Sequence, residues 1–110
     1  MTMSSQLIYT VTPRTSPDGF DRIDIDLPDV RVGNVRCHFE GDKLIIYSIQ
    51  IFPEFQRRGF ARKTMEILKT DHAHIIADRV RFKAREFWAS MGFRELADGN
   101  WEYKHVIFHK

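Results

Sequence analysis

The 110-residue chain predicts an α/β domain of the α+β kind: one mixed, mostly antiparallel twisted sheet flanked by helices. Three observations lead there. The first half alternates apolar and polar residues at period 2 between turn dipeptides, the second half carries two stripes of helical period, and no helical pattern precedes Gly59. At this length roughly 65% of the unfolded chain's surface can be buried, so one core suffices and residues 1–110 read as a single domain.

The elements follow in order. "QLIYTVT" is a strand, and "SPDG" after it is a turn, since Pro presets φ and Asp-Gly tolerates positive φ. "RIDIDLP" alternates Ile23, Ile25 and Leu27 with Arg22, Asp24 and Asp26, a strand with one wet face, so its carboxylates read as a solvated face and not an acid–base pair. "NVRCHFEGDKLIIYSIQIF" reads as two strands with a hairpin turn at Gly41-Asp42. The second of them, apolar on both faces, belongs in the middle of the sheet and ends at Pro53. Phe60, Ala61, Thr64, Met65, Ile67 and Leu68 form the apolar stripe of a helix. "HIIAD" is a short strand, and Ala84, Phe87, Trp88 and Met91 at i, i+3, i+4, i+7 make a second helix that Gly92 stops. The tail splits at Asp98-Gly99-Asn100 into a final hairpin.

The segment "QRRGFA", residues 56–61, breaks the rules for a helix start. Isolated helices begin with Ser, Thr, Asp or Asn and an acidic first turn, because four N–H groups lack partners and the dipole is positive there. Arg57, Arg58, Arg62 and Lys63 instead add positive charge, each unfavourable by about 0.3–1 kcal/mol. A glycine that opens a helix after a buried strand leaves backbone donors converging where a phosphate can come close, and the arginines then become assets. Neither G-x-x-x-x-G-K-[ST] nor G-x-G-x-x-G is present, so the ligand expected here is a pyrophosphate held by main-chain N–H groups without an obligatory metal.

Composition narrows the classes. Hydrophobic content of 43% with 29% charged residues and nine Phe suits a soluble domain with an aromatic core. A formal net charge of +2 permits nucleic acid but does not demand it. No segment has the length of a signal peptide or a membrane span, which predicts a cytoplasmic protein without a membrane partner. Cys37 stands alone, which excludes an internal disulfide, and on a strand it points away from His38, so it reads as a half-buried packing residue. The pairs His72/His74 and His105/His109 have no carboxylate or thiol at ligand spacing, so no metal is expected.

The tract "IQIFPEFQRRGFARKTMEIL" resembles the strand, V-x-P-E-[FY] exit, Gln/Arg-x-x-Gly-x-Gly/Ala loop and long helix of the GNAT family of N-acetyltransferases. "KAREFWASMGF" is similar to that family's A-x-x-F-Y-x-x-x-G-F helix, and the joint match spans residues 43–93. The resemblance implies transfer of the acetyl group of acetyl-CoA to a primary amine by direct attack in a ternary complex, with acetyl-CoA as cosubstrate and no metal. It implies that the main chain of Gln56, Arg57, Arg58, Gly59, Phe60 and Ala61 holds the pyrophosphate. Ile49 and Ile51 would pair through their backbone with the pantetheine amides, Phe87 and Trp88 would flank the cofactor, and "HIIAD" would splay away to make the cleft.

Four departures from the family pattern set the open questions. Trp88 stands where the family often places a tyrosine acid, and an indole N–H donates a hydrogen bond without titrating. Arg81 stands at a frequent Asn, and Ile45 where some members carry a glutamate base. The catalytic groups therefore stay unassigned, with Tyr47, Tyr103, Glu40 and His38 as weak candidates, and a CoA-binding regulatory module without turnover is the alternative. A small nucleic-acid-binding domain using Arg57, Arg58, Arg62, Lys63, Arg79, Arg81, Lys83 and Arg85 comes third. The family's usual N-terminal helices are missing, so the acceptor side is expected to be open or completed by a second copy in a homodimer. The acceptor could be a small molecule or a protein amine.

Overall fold

The computed structural model describes residues 6–105. Seven strands form one sheet in the order β1-β2-β3-β4-β5-β7-β6. They are β1 (Ile8–Thr12), β2 (Asp21–Leu27), β3 (Val30–Glu40), β4 (Lys43–Ile51), β5 (His74–Ala77), β6 (Arg94–Glu95) and β7 (Trp101–Lys104). Every neighbouring pair is antiparallel except β4 and β5. The α1 helix (Phe60–Asp71) crosses between those two, as a parallel connection requires. A short 3-10 turn (Pro53–Phe55) precedes α1, and another (Phe82–Ala84) leads into α2 (Arg85–Ser90). No helix precedes Pro53 among the described residues.

The sheet matches the expected element order, with β4 at its centre and the Gly41-Asp42 hairpin in place, Gly41 at φ 59°. The third strand starts earlier than its alternation suggests, at Val30 and not Asn34. Gly33 sits inside the strand, at a point where the neighbouring main chain comes close. A Cβ there would run into the Gln50 carbonyl and lie 3.1 Å from Ile51 Cα. Two bulges interrupt the ladders. Val32 is the extra residue between the pairs Ile25–Gly33 and Asp26–Arg31, and Tyr47 is the extra one between Arg36–Ser48 and Cys37–Ile46.

Directly paired residues share a face, so Tyr9, Ile25, Ile23, Val35, Cys37, Ile46 and Leu44 all point the same way. Onto that face α1 brings Phe60, Thr64, Met65 and Leu68, and α2 brings Trp88, with Met91 just behind it. Each large side chain buried there contributes roughly 1.5–3 kcal/mol. The Tyr9 hydroxyl meets Thr64 Oγ1 at 3.3 Å, joining edge strand to helix. Arg62 donates to Ser90 Oγ (3.0 Å) and Lys69 to the Met91 carbonyl (2.9 Å), tying the helices together. Ile67, expected in the apolar stripe, is 45% exposed, because it lies one step round the helix from Leu68 and on its outer side. Gly92, at φ 86°, ends α2 as expected, with Phe93 donating back to the Trp88 carbonyl (3.0 Å).

The other face of the sheet carries no helix among the described residues. Its cross-strand pairs are polar: Arg22 with Arg36, Asp24 with Asn34, Asn34 with Gln50. The face is not simply wet, however. Asp24 is only 4% exposed, because Arg22 (3.1 Å) and Arg31 (3.6 Å) close over its carboxylate. Cys37 is likewise fully buried and not half-buried, and burial pushes its thiol up to about 12. It is a packing residue and not a nucleophile at neutral pH.

Replacing Gly33 by Ala forces β3 and β4 apart where no slack exists. The variant is expected to lose about 1–3 kcal/mol, read as a lower urea midpoint with an unchanged slope.

Candidate functional site

The site begins with a ladder that stops. The parallel pairing of β4 with β5 covers Lys43, Leu44, Ile45 and Ile46 against His74, Ile75, Ile76 and Ala77, and Asp78 N–H to the Ile46 carbonyl (2.8 Å) is its last bond. The bulged Tyr47 comes next on β4, and from there the strand keeps only β3 as a partner. On the other side the chain turns away through Arg79, at φ 47°, whose N–H donates to Asn100 Oδ1 (2.8 Å), while Val80 N–H donates to the Gly99 carbonyl (3.2 Å). The final hairpin thus holds the second bank of the gap.

The gap is a cleft of about 710 Å³ that passes through the sheet. On the helix side it is lined by Ile49, Ala61, Ala84, Phe87 and Trp88, and on the open side by Arg36, Tyr47, Ser48 and Gln50, with Asp78 between the banks. A second recess of about 290 Å³, beside Ile51, Gln56, Arg57 and Gly59, shares Ala61 and Phe87 with it. Together they make one path from the start of α1 to the open face.

Hydrogen-bond alternation fixes what β4 offers to that path. Phe52 N–H is bonded to the Val32 carbonyl (2.8 Å), so the main-chain groups of Phe52 and Gln50 face β3. Those of Ile49 and Ile51 therefore face the cleft. The Ile51 carbonyl already accepts from Gln56 Nε2 (2.9 Å), which leaves the Ile51 N–H and both groups of Ile49 exposed to a ligand.

At the head of the path α1 starts without a side-chain cap. Gly59 is the N-cap residue at φ 80°, a conformation glycine adopts without strain, and Arg57 before it is also left-handed at φ 63°. The Lys63 N–H donates to the Gly59 carbonyl (3.0 Å), but the N–H groups of residues 57–62 have no acceptor among the described residues. Gln56 is different: its N–H is taken by the Pro53 carbonyl (3.3 Å) and its side chain donates to the Ile51 carbonyl, so it braces the loop and offers no main-chain donor. A Cβ on Gly59 would meet nothing within 4 Å, so the protein itself does not require glycine for space there. The positive φ requires it.

The cations sort by what they touch. Arg57 lines the recess. Arg58 lies over the Phe55 ring at 5.6 Å, and Arg62 turns toward Ser90 and Met91. Phe87 lines both recesses and Trp88 the larger one, where it packs edge-on against Phe87 (5.2 Å) and Phe93 (4.8 Å).

Of the four weak catalytic candidates, the structure brings only Tyr47 to the cleft. Burial, and then the Asp78 and Glu40 carboxylates, raise its phenol above the ordinary tyrosine value, so it is a neutral hydrogen-bond donor at pH 7. Its ring lies 5.0 Å from that of Phe20. Glu40 sits exposed at the hairpin, paired across the ladder with Lys43. His38 Nδ1 is 3.4 Å from Asp21 Oδ2 but makes no well-directed hydrogen bond. Asp21 is occupied with Arg14 N–H (2.8 Å) and Phe39 N–H (3.1 Å), and these bonds hold its carboxyl below the usual range. Tyr103 packs under Lys69 (4.8 Å) and against Phe93 (5.7 Å), away from the cleft. The histidine pairs also separate: His72 lies on the Phe39 ring (5.7 Å), His74 bonds Glu102 (2.8 Å), and His109 lies outside the described residues. The sequence reading missed Asp78, Arg36 and Ser48, because nothing in local spacing shows which strand ends meet at a gap.

No protein-family model and no curated protein matches the sequence. Among solved structures the fold is well matched. The E. coli protein YhhK, assigned as an N-acetyl transferase and solved with coenzyme A, has a TM-score of 0.70 at 16% identity, covering 91% of this chain and 99% of its own. The Bacillus subtilis N-acetyltransferase YlbP, also solved with coenzyme A, gives 0.64 at 20% identity, over 76% of this chain and 67% of its own. The ribosomal-protein-S18-alanine N-acetyltransferase of E. coli gives 0.62 at 16%, over 86% and 75%. The chain therefore has the GNAT N-acetyltransferase fold, in a form without helices ahead of β4 among the described residues.

Since conformation alone demands glycine at position 59, Gly59→Val is expected to cost about 1–2 kcal/mol. Gly59→Asn, which tolerates the left-handed region, is expected to stay within about 0.5–1 kcal/mol of the parent. Urea unfolding of the two variants checks the difference.

Proposed function

We propose that the chain is an N-acetyltransferase that takes acetyl-CoA into the path from α1 to the open face and passes the acetyl group to a primary amine in a ternary complex. One observation carries the reading: a strand edge with free amide groups at Ile49 and Ile51 runs directly to six consecutive N–H groups, at residues 57–62, that have no partner among the described residues. An extended diamide ending in a pyrophosphate fits both. The amides extend the sheet where β5 leaves it, and the pyrophosphate satisfies the N–H groups, the helix dipole and Arg57. The coenzyme A present in two structures of this fold supports the same assignment.

Acetyl-CoA supplies a thioester carbonyl open to a nitrogen nucleophile. The acceptor ammonium first gives up one proton to expose its lone pair; the C–N bond then forms, the C–S bond breaks, and the nitrogen sheds a second proton. Asp78, between the two banks of the cleft, faces the incoming ammonium and can receive or relay the first of these protons. Tyr47 donates a hydrogen bond to the developing negative charge. It does not fully protonate the leaving sulfur, since a phenol raised above 10 is a weaker acid than a thiol near 8.5. Of the two protons the nitrogen releases, one ends on the thiolate and the other in solvent, and the phenol keeps its own.

Calorimetric titration with acetyl-CoA, with tripolyphosphate as the anion control, tests the site. Saturable, near-stoichiometric binding that prefers acetyl-CoA is expected, and equal binding of tripolyphosphate would sink the assignment. Binding without thiol release across an amine panel would favour the regulatory module over the enzyme. In an active protein, Tyr47→Phe is expected to lower kcat about 10²-fold with acetyl-CoA affinity little changed. An unchanged kcat would remove Tyr47 from the mechanism.

A further inference from the structure

The open-face mouth of the cleft has a charge pattern that an acceptor must satisfy. Arg36 pairs across the ladder with Ser48 and points to the face opposite both helices. It is exposed, lines the cleft, and has no ion pair or hydrogen bond with any described residue, whereas Arg22 and Arg31 on the same face are held by Asp24 and Asp26. Asp78, the first turn residue after the buried Ala77, lines the same cleft together with Arg79 and Arg81, and its carboxylate reaches only the exposed Arg79 Nε, at 4.0 Å. Tyr47 lines the same cleft, its ring tilted by 55° against that of the half-exposed Phe20.

The phosphates of the donor substrate do not account for Arg36. Their proposed seat, residues 57–62, belongs to the start of α1 and therefore to the helix side of the sheet, while Arg36 stands on the other. A neutral or purely cationic amine would leave this guanidinium unpaired and facing the incoming positive charge. An amine that also bears a carboxylate matches all three features: ammonium to Asp78, carboxylate to Arg36 in a charge-assisted and potentially bidentate pair, and an apolar side chain over the Phe20–Tyr47 rings.

We infer that the acceptor is a small amino-carboxylate of the free amino-acid class, and that Arg36 selects its carboxylate. The inference rests on the acetyltransferase reading and names the substrate class of that site.

The test is a titration of the CoA-saturated chain with matched pairs that differ only in the carboxylate: phenylalanine against phenethylamine, and leucine against isoamylamine. The carboxylate-bearing member is expected to bind about tenfold tighter or more, and Arg36→Gln to abolish the difference with CoA affinity unchanged. Equal or tighter binding of the decarboxylated amines overturns the inference. So does a preference that survives Arg36→Gln, or binding of neither member. These outcomes differ from failure of the parent reading, which would appear earlier as loss of CoA binding by the wild-type chain.

Discussion

The structure turns on the point where β4 loses one of its two partners. A central strand normally spends every amide on its neighbours, and β4 does so up to Ile46. Beyond it, the extra residue Tyr47 shifts the ladder with β3, while β5 is pulled off by the turn at Arg79 and fastened to the final hairpin through Asn100 and Gly99. Both causes are needed. Without the bulge, Ile49 and Ile51 would turn their amides to β3, and without the anchored turn β5 would run on beside β4 and fill the gap.

The uncapped start of α1 is the second cost the fold accepts. Six N–H groups without acceptors among the described residues, a left-handed Arg57 and a cluster of cations oppose the helix locally. Tertiary packing offsets them. Phe60, Met65 and Leu68 are buried in the core, Arg62 and Lys69 are tied to α2, and Gln56 clamps the loop to the end of β4 through the Ile51 carbonyl. The loop is therefore fixed from below by packing and left open only on the side that faces the recess. Polar groups held rigid but unsatisfied are preorganised, so a ligand that meets them pays little reorganisation.

The sequence made the long elements legible because each carries one clear period and a chemical stop: Gly41-Asp42, Pro53, Gly92 and Asp98-Gly99 all fall where the chain turns. The helix-start anomaly was legible too, since capping rules depend only on neighbours in the chain. What could not be read was anything set by neighbours across the sheet. Nothing along the chain places Gln50 beside Gly33, and Asp24 looks solvated until Arg31 arrives from the next strand. Tyr47 and Arg36 come from two strands and Asp78 from the turn after β5, and they line one cleft because of a bulge and that turn, and a bulge is one unpaired residue with no composition of its own. His38 and Glu40 were drawn in for the opposite reason, as titratable residues close in sequence to the cleft but directed elsewhere.

The two faces of the sheet divide the chemistry in a way that follows from the helices' placement. Both helices pack on one face, and their contacts with each other leave the other face bare among the described residues. A through-cleft in such a sheet has one apolar, amide-lined end beside α1 and one charged end among strand side chains. On the proposed function, a long ligand with an anionic head enters from the first, where backbone donors recognise shape and charge without side-chain specificity. Selectivity must then sit at the second, where individual side chains such as Arg36 and Asp78 project and can be exchanged without disturbing the core. If the proposed function holds, the same scaffold can keep its donor site constant and change its acceptor by substituting residues that no packing constraint holds.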